Sequence, residues 1–333
     1  MEPKRPSERP SVLIVFTGGT ISMRVVPGRG VVPARSGAEI LALVPGASRH
    51  ADLHVEDFDR LPGPHWTPGR MLELSRFLDE RLAGGQYAGA VVTHGTDTLE
   101  ETVYFLDLTL AADLPVVVTG AMRTPDDPTW DGPANLLNAI GCATARAARG
   151  LGVLAVLNEE IHAAREVVKM HTEALGAFAS PHSGPLGVVD LDGVHVQRTS
   201  VRRERIAVER VDARVDLVVA AAGVDGAGLR AALDAGAHGI VLQGLGRGNV
   251  PPGMLAEVRR AAREGVPVVV ASRCPLGRTA PVYGYEGGGV TLREAGAVFA
   301  GDLSAPKARI KLMLLLGAGA DAARIREAFE EPE

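Results

Sequence analysis

Two short turns, Thr17-Gly18-Gly19-Thr20 and Thr93-His94-Gly95-Thr96-Asp97-Thr98, each set hydroxyls beside glycine, a combination suited to acyl transfer. A threonine hydroxyl is a weak nucleophile until a base or a lowered pKa activates it. A lysine held near a carboxylate in a dry site can do so through a second hydroxyl. Lys169 is the candidate lysine, one of four in an arginine-rich chain with Lys4, Lys307 and Lys311. Glycine permits unusual backbone angles and close approach of N–H groups to a substrate. A nucleotide phosphate could use that geometry too. The first turn, however, matches neither of the usual phosphate-binding glycine patterns, and no helical pattern begins at Thr20 to supply a positive N-terminus.

The second turn leads into a helix, so capping competes with chemistry there. Thr98 reads as a cap, Asp97 equally as a cap or a functional carboxylate, and His94 as a structural hydrogen-bonder. His50 and His54 are four apart but straddle a loop-to-strand junction, so they share no helical face and suggest no zinc site.

Such turns need a scaffold, and the chain supplies a βα rhythm. Val12–Phe16, Val91–Thr93, Val116–Thr119 and Val153–Leu157 read as strands buried on both faces, with helices between them. Thr67-Pro68 opens a helix to about Leu82. Thr98 and Glu101 form a capping box before Val103, Leu106 and Leu110, and Pro133 opens a helix through Leu136, Leu137 and Ile140. From Leu191 to Asp212 the pattern turns to short, Arg-rich alternation, read as a hairpin and linker. The rhythm then resumes with strands at Leu217–Ala220, Gly239–Leu242 and Pro267–Ala271. Helices are expected near Ala227–Ala235 and Gly253–Arg263, and two more close the chain from about Ser304 to Leu316 and Asp321 to Phe329. The expected architecture is α/β in two domains: a larger N-terminal one at 10–195 with a mostly parallel sheet and flanking helices, a linker at 196–213, and a smaller α/β domain at 214–333. In an open α/β sheet, ligands bind at the carboxyl ends of strands, where both threonine turns fall.

Bulk properties agree. The 333 residues exceed what one core usually supports, and 46% apolar with 23% charged residues describe a globular chain. The net charge of −5 comes from interspersed acids and bases without a polybasic block, which argues against nucleic acid as a partner. No stretch approaches the roughly 20 apolar residues of a membrane span, so no membrane partner is expected. The N-terminus, Met1 to Ser11, reads as a frayed tail and not a leader, because Val12–Phe16 is too short for a signal h-region. Cys142 and Cys274 lie outside any CxxC spacing and read as buried packing residues in a reducing, cytoplasmic setting.

Together the motifs resemble the bacterial-type L-asparaginases, the asparaginase/glutaminase family, and its cytoplasmic-like branch in particular. The resemblance runs from Val12 to the C-terminal helix. It rests on Thr17–Thr20 followed by Ile21 and on Thr93–Thr98 followed by Leu99-Glu100-Glu101-Thr102. Val118–Arg123, Asp131-Gly132-Pro133 with Asn135-Leu136, Gly184–Gly187, Gly244–Asn249 and Lys307-Ala308-Arg309 support it. It implies hydrolysis of L-asparagine to L-aspartate and ammonia, with Thr20 as the nucleophile that forms an acyl-enzyme and Thr96, Asp97 and Lys169 as a companion triad. Asp97 also grips the substrate α-ammonium. Backbone N–H groups near Gly19 and Thr96 form the oxyanion hole, Gly95 belongs to the same turn, and the Ala121 carbonyl faces the leaving nitrogen. No metal or organic cofactor is implied. A homodimer or homotetramer is, with Asn249 reaching across a subunit interface.

The chain departs from the family twice. Ile21–Ser36 carries no lid aromatic, although Gly28 and Gly30 still suggest a mobile lid that Arg24, Arg29 or Arg35 could extend over substrate. Gly63 stands where the family has a carboxylate-holding serine and can offer only backbone, while His65 nearby reads as structural. The Gly287-Gly288-Gly289 run reads as a surface turn. Alternatives to an asparaginase are a glutaminase or other small-amide hydrolase, and, from another class, an amino-acid-binding regulator that has lost catalysis.

Overall fold

The computed structural model describes residues 9–49, 51–200 and 203–330. The N-terminal tail with Lys4, His50 of the histidine pair and Arg202 of the Arg-rich stretch lie outside them. The chain forms two compact units divided between Glu204 and Arg205.

The first unit begins with β1 (Ser11–Gly18), whose Val12–Phe16 run is buried on both faces. A hairpin follows, β2 (Met23–Val26) against β3 (Gly30–Pro33), then the short helix α1 (Gly37–Ala42), closed by a Ser36/Glu39 capping box. The edge strand β4 (Asp52–Leu61) is mostly polar and half-exposed, as a strand with one free edge can be. Helix α2 (Pro68–Leu82) starts as its residues dictate: the Thr67 hydroxyl accepts from the Arg70 N–H and Pro68 takes the first turn. The chain continues through β5 (Gly89–Thr93), α3 (Leu99–Thr109), β6 (Val116–Thr119), α4 (Gly132–Thr144) and β7 (Val153–Leu157). Antiparallel additions complete the unit: β8 (Glu160–Ala163), the two-residue strands β9 (Val168–Lys169) and β10 (Phe178–Ala179), and the hairpin β11 (Gly187–Asp190) with β12 (Gly193–Val196).

The eight-stranded sheet has the order β12-β11-β8-β7-β6-β5-β1-β4. Its five strands from β4 to β7 are parallel, and β8, β11 and β12 extend it antiparallel. The chain passes from β1 to β4 on one side and returns to β5 on the other, so the order reverses at β1. The crevice beyond the carboxyl ends of β1 and β5 is therefore the switch point at which such sheets bind ligands, and both threonine turns leave the sheet there.

The second unit has a four-stranded parallel sheet, β13 (Val215–Val219), β14 (Gly239–Gly244), β15 (Val268–Ser272) and β16 (Val298–Phe299), in sequential order. Helices α5 (Ala227–Asp234), α6 (Leu255–Arg263) and α7 (Gly289–Glu294) connect the strands, and α8 (Ala305–Gly317) and α9 (Ala322–Phe329) end the described chain. Ile240, Leu242, Leu255, Val258, Val268 and Val270 form its core. Among the described residues, no helix is long and apolar enough to cross a membrane.

Three expectations need correction. Thr98 occupies the residue before α3, but its hydroxyl caps nothing; it donates to the Gly63 carbonyl at 2.8 Å and ties the turn after β4 to the turn after β5. Cys142 is buried, and burial pushes its thiol up to about 12, whereas Cys274 is exposed in a polar loop after β15. The glycine run is no surface turn. Gly287 to Gly289 are buried, and a Cβ on Gly287 would meet the Val250 carbonyl at 2.2 Å, while the neighbouring Tyr283 and Tyr285 are exposed and stacked.

Candidate active site at the sheet switch point

The two threonine turns are bolted together at their bases. The buried Thr17 hydroxyl donates to the Thr93 carbonyl at 2.6 Å, and the Thr17 N–H donates to the Thr93 hydroxyl at 3.4 Å. Above this brace the chains approach so closely that only glycine fits. A Cβ on Gly19 (φ +79°) would lie 2.5 Å from the Cα of Gly95, and one on Gly95 would lie 2.6 Å from the Gly63 nitrogen. Three strand ends thus stack backbone on backbone, from β1, β5 and β4.

His94 lies fully buried under this stack. Its Nδ1 is 2.9 Å from the Gly95 carbonyl, which can only accept, so Nδ1 carries the proton; Nε2 then accepts from the Thr102 hydroxyl at 3.0 Å. Burial lowers its pKa to about 4, which keeps the ring neutral. Trp66 covers it with ring centroids 4.6 Å apart. With both nitrogens engaged, His94 is a scaffold residue.

Lys169 reaches the second turn from β9. Its Nζ donates to the Thr96 Oγ1 at 2.9 Å and to the Asp97 Oδ1 at 2.8 Å. Thr96 is buried, and Asp97 keeps 58% of its side chain exposed. The arrangement places a hydroxyl, a carboxylate and an amine in one chain of contacts, with one open end. Thr20 lies half-buried at the head of a single 3-10 turn, Thr20–Ser22, whose Ser22 hydroxyl and N–H both donate to the Gly19 carbonyl. The Gly19 N–H is engaged by the Leu61 carbonyl at 3.0 Å. The N–H groups of Thr20, Gly63 and Thr96 make no hydrogen bond among the described residues.

The Ala121 loop closes another side. A Cβ on Gly120 would lie 3.4 Å from the Thr96 Cγ2, which puts this loop against Thr96. Asp131 accepts from the Met122 and Arg123 N–H groups, and Asn135 donates to the Gly120 carbonyl, so the loop's path is held by α4 and the residue before it. In the sequence Asp131 and Asn135 stand out only as motif residues, and their spacing of four at a helix start is the signal of this role. Asn249 belongs to the second unit, in a tight turn bridged to Leu245, with its Oδ1 accepting from the Gly289 N–H at 3.2 Å. Among the arginines that follow Thr20, Arg24 and Arg29 are exposed on the β2–β3 hairpin, and Arg35 is tied to Asp126 at 2.8 Å.

A family profile described as "Asparaginase, N-terminal" matches residues 11–202, and one described as "Glutaminase/Asparaginase C-terminal domain" matches residues 214–329. The chain is 42% identical over 331 residues to a probable L-asparaginase of Deinococcus radiodurans, covering 98% of this chain and 99% of that protein. It is 38% identical over 308 residues to an L-asparaginase of Bacillus licheniformis, covering 92% and 95%. The crystal structure of a probable cytoplasmic L-asparaginase from Campylobacter jejuni is similar with a TM-score of 0.88 at 31% identity, covering 96% of this chain and 99% of that one.

Proposed function

The chain belongs to the asparaginase family, and from that premise we propose that it hydrolyses L-asparagine to L-aspartate and ammonia through an ester on Thr20. The observation that carries this reading is the single path of contacts from Asp97 through Lys169 to the Thr96 hydroxyl, beside the turn that holds Thr20.

In the first step the Thr20 oxygen attacks the side-chain amide carbon, and its proton passes towards the leaving nitrogen by way of Thr96 and Lys169. Negative charge develops on the carbonyl oxygen, where the unengaged N–H groups of Thr20 and Thr96 serve as preorganised donors. The C–N bond breaks and ammonia leaves past the Ala121 carbonyl. Water, deprotonated through Thr96 and Lys169, then attacks the ester and returns the proton to Thr20 as aspartate departs. At the other end of the substrate, Asp97 keeps Oδ2 for the α-ammonium, since Lys169 takes Oδ1. Gly63 offers its unengaged N–H to the α-carboxylate.

Glutamine is the second reading, favoured by the description of the C-terminal profile. One methylene changes discrimination by only about 1–3 kcal/mol in an apolar pocket. The reading includes a cytoplasmic homodimer or homotetramer in which Asn249 of one copy contributes to a neighbour's site. The purified protein with L-asparagine and L-glutamine, followed by ammonia release beside Thr20→Ala and Thr96→Ala, tests the activity. Absence of ammonia from both amides would overturn it, and an unimpaired Thr20→Ala would overturn the nucleophile.

A further inference from the structure

Lys169 sits in a strand of two residues. β9 pairs with β10 alone, in a ribbon separate from the eight-stranded sheet. A lysine head group is placed only as well as the backbone that carries it, because its four-carbon stem is flexible. Something must therefore fix this ribbon relative to the turn that Nζ has to reach.

We infer that Glu100 is the positioning residue for Lys169, holding its backbone while Thr96 and Asp97 hold its head; this rests on the role given to Lys169 above. The Glu100 Oε2 accepts from the Lys169 N–H at 2.6 Å across 69 residues of sequence. Glu100 is the second residue of α3, three after Asp97 and four after Thr96, so the turn after β5 and the first turn of the helix it leads into grip the lysine at both ends. A displacement of the ribbon would have to break the backbone grip before the ammonium could leave its partners. The far end of the ribbon is tied independently: Ser180, directly after β10, bonds the Nδ1 of the buried His162 in β8 at 3.0 Å.

A plainer reading makes Glu100 a first-turn carboxylate that complements the helix dipole. That role needs no specific partner, and Glu101 next to it could fill it equally. Glu100 instead is half-buried and directs one oxygen to the amide of a different element, a charge-assisted bond.

The test compares Glu100→Ala with Glu100→Gln, whose amide oxygen can still accept the bond, in the full-length protein. For Glu100→Ala, kcat should fall roughly 10- to 100-fold, the scale of a misplaced catalytic group, with KM little changed and the acidic limb of the kcat–pH profile moved. Glu100→Gln should restore kcat and the profile towards those of the parent. Hydrogen exchange at the Lys169 amide should quicken in the alanine variant and not in the glutamine variant. Should Glu100→Ala not fold, Glu100→Asp replaces it, with its carboxylate drawn back by one methylene and the same direction of change. Parent-like kcat and unchanged Lys169 exchange in the alanine or aspartate variant would overturn the assignment, as would equal impairment of alanine and glutamine. If the parent itself releases no ammonia, the functional reading fails, while the exchange experiment still decides whether Glu100 holds Lys169.

Discussion

The Cα of Gly95 occupies the space that a side chain on Gly19 would need, 2.5 Å from where its Cβ would stand. The turn that carries Thr20 and the turn that carries Thr96 are thereby in direct backbone contact, with no side chain between them to soften a displacement. Gly95→Ala should be costly although its backbone angles suit any residue, because its Cβ would enter the Gly63 backbone. We expect about 1–3 kcal/mol of destabilisation from overpacking and a larger loss in kcat, read by denaturant melts and ammonia release. A variant of normal stability and activity would show that the two turns can separate without consequence.

Lys169→Met keeps the length of the side chain and removes its amine. The Thr96 hydroxyl then loses its partner, and kcat should fall by about 10²–10⁴-fold, the range for removing acid–base assistance. Stability should fall by no more than about 1–3 kcal/mol, the cost of leaving the buried Thr96 hydroxyl unpaired, because Asp97 is more than half exposed and regains water. Steady-state kinetics with a thermal melt separate the two effects.

His94 makes stability depend on pH in a defined window. Its folded pKa is near 4 against an ordinary 6.5, so below pH 6.5 the unfolded chain binds a proton that the folded one refuses. Its stabilising contribution is complete above pH 6.5, declines as the pH falls, and levels off below about 4. The total is on the order of 3 kcal/mol, from the size of the shift. Urea melts from pH 4 to 7 should show this slope, and His94→Gln should flatten it even if the variant is less stable throughout.

Asp126 latches the hairpin that follows Thr20. It accepts from the Val25 N–H at 3.0 Å and the Arg35 guanidinium at 2.8 Å, and these bonds, the backbone one first, hold its carboxyl below the usual range. Arg24, Arg29 and Arg35 make trypsin a direct probe of the segment. Asp126→Ala should speed cleavage between residues 24 and 35, and the native latch should loosen only as the pH falls below the ordinary carboxylate range. Equal cleavage of both proteins at neutral pH would exclude a latch.

The helices and the central strands were legible because local patterns encode them. Val153–Leu157 is continuous in apolar residues since it is covered on both faces, and Pro68 and Thr67 mark a helix start by their own chemistry. The edge strand β4 and the β2–β3 hairpin were harder to read. Asp52–Leu61 is largely polar on an exposed sheet edge, and Met23–Pro33 pairs only with itself, so neither carries the apolar signal of a central strand.

The residues carry in themselves the set of chemical groups and the scaffold type: threonines and glycines in two strand-end turns, one lysine apart from them, and a βα rhythm that sets both turns at the carboxyl ends of strands. Which of these groups meet is decided by packing. Thr98 looked like a cap and instead holds Gly63, and Lys169 meets Thr96 across 73 residues while Glu100 holds its backbone across 69. Periodicity reports how a residue faces its own element. Contacts between elements depend on strand order, register and crossing, which are settled by the packing of the whole unit and leave no local trace in the chain.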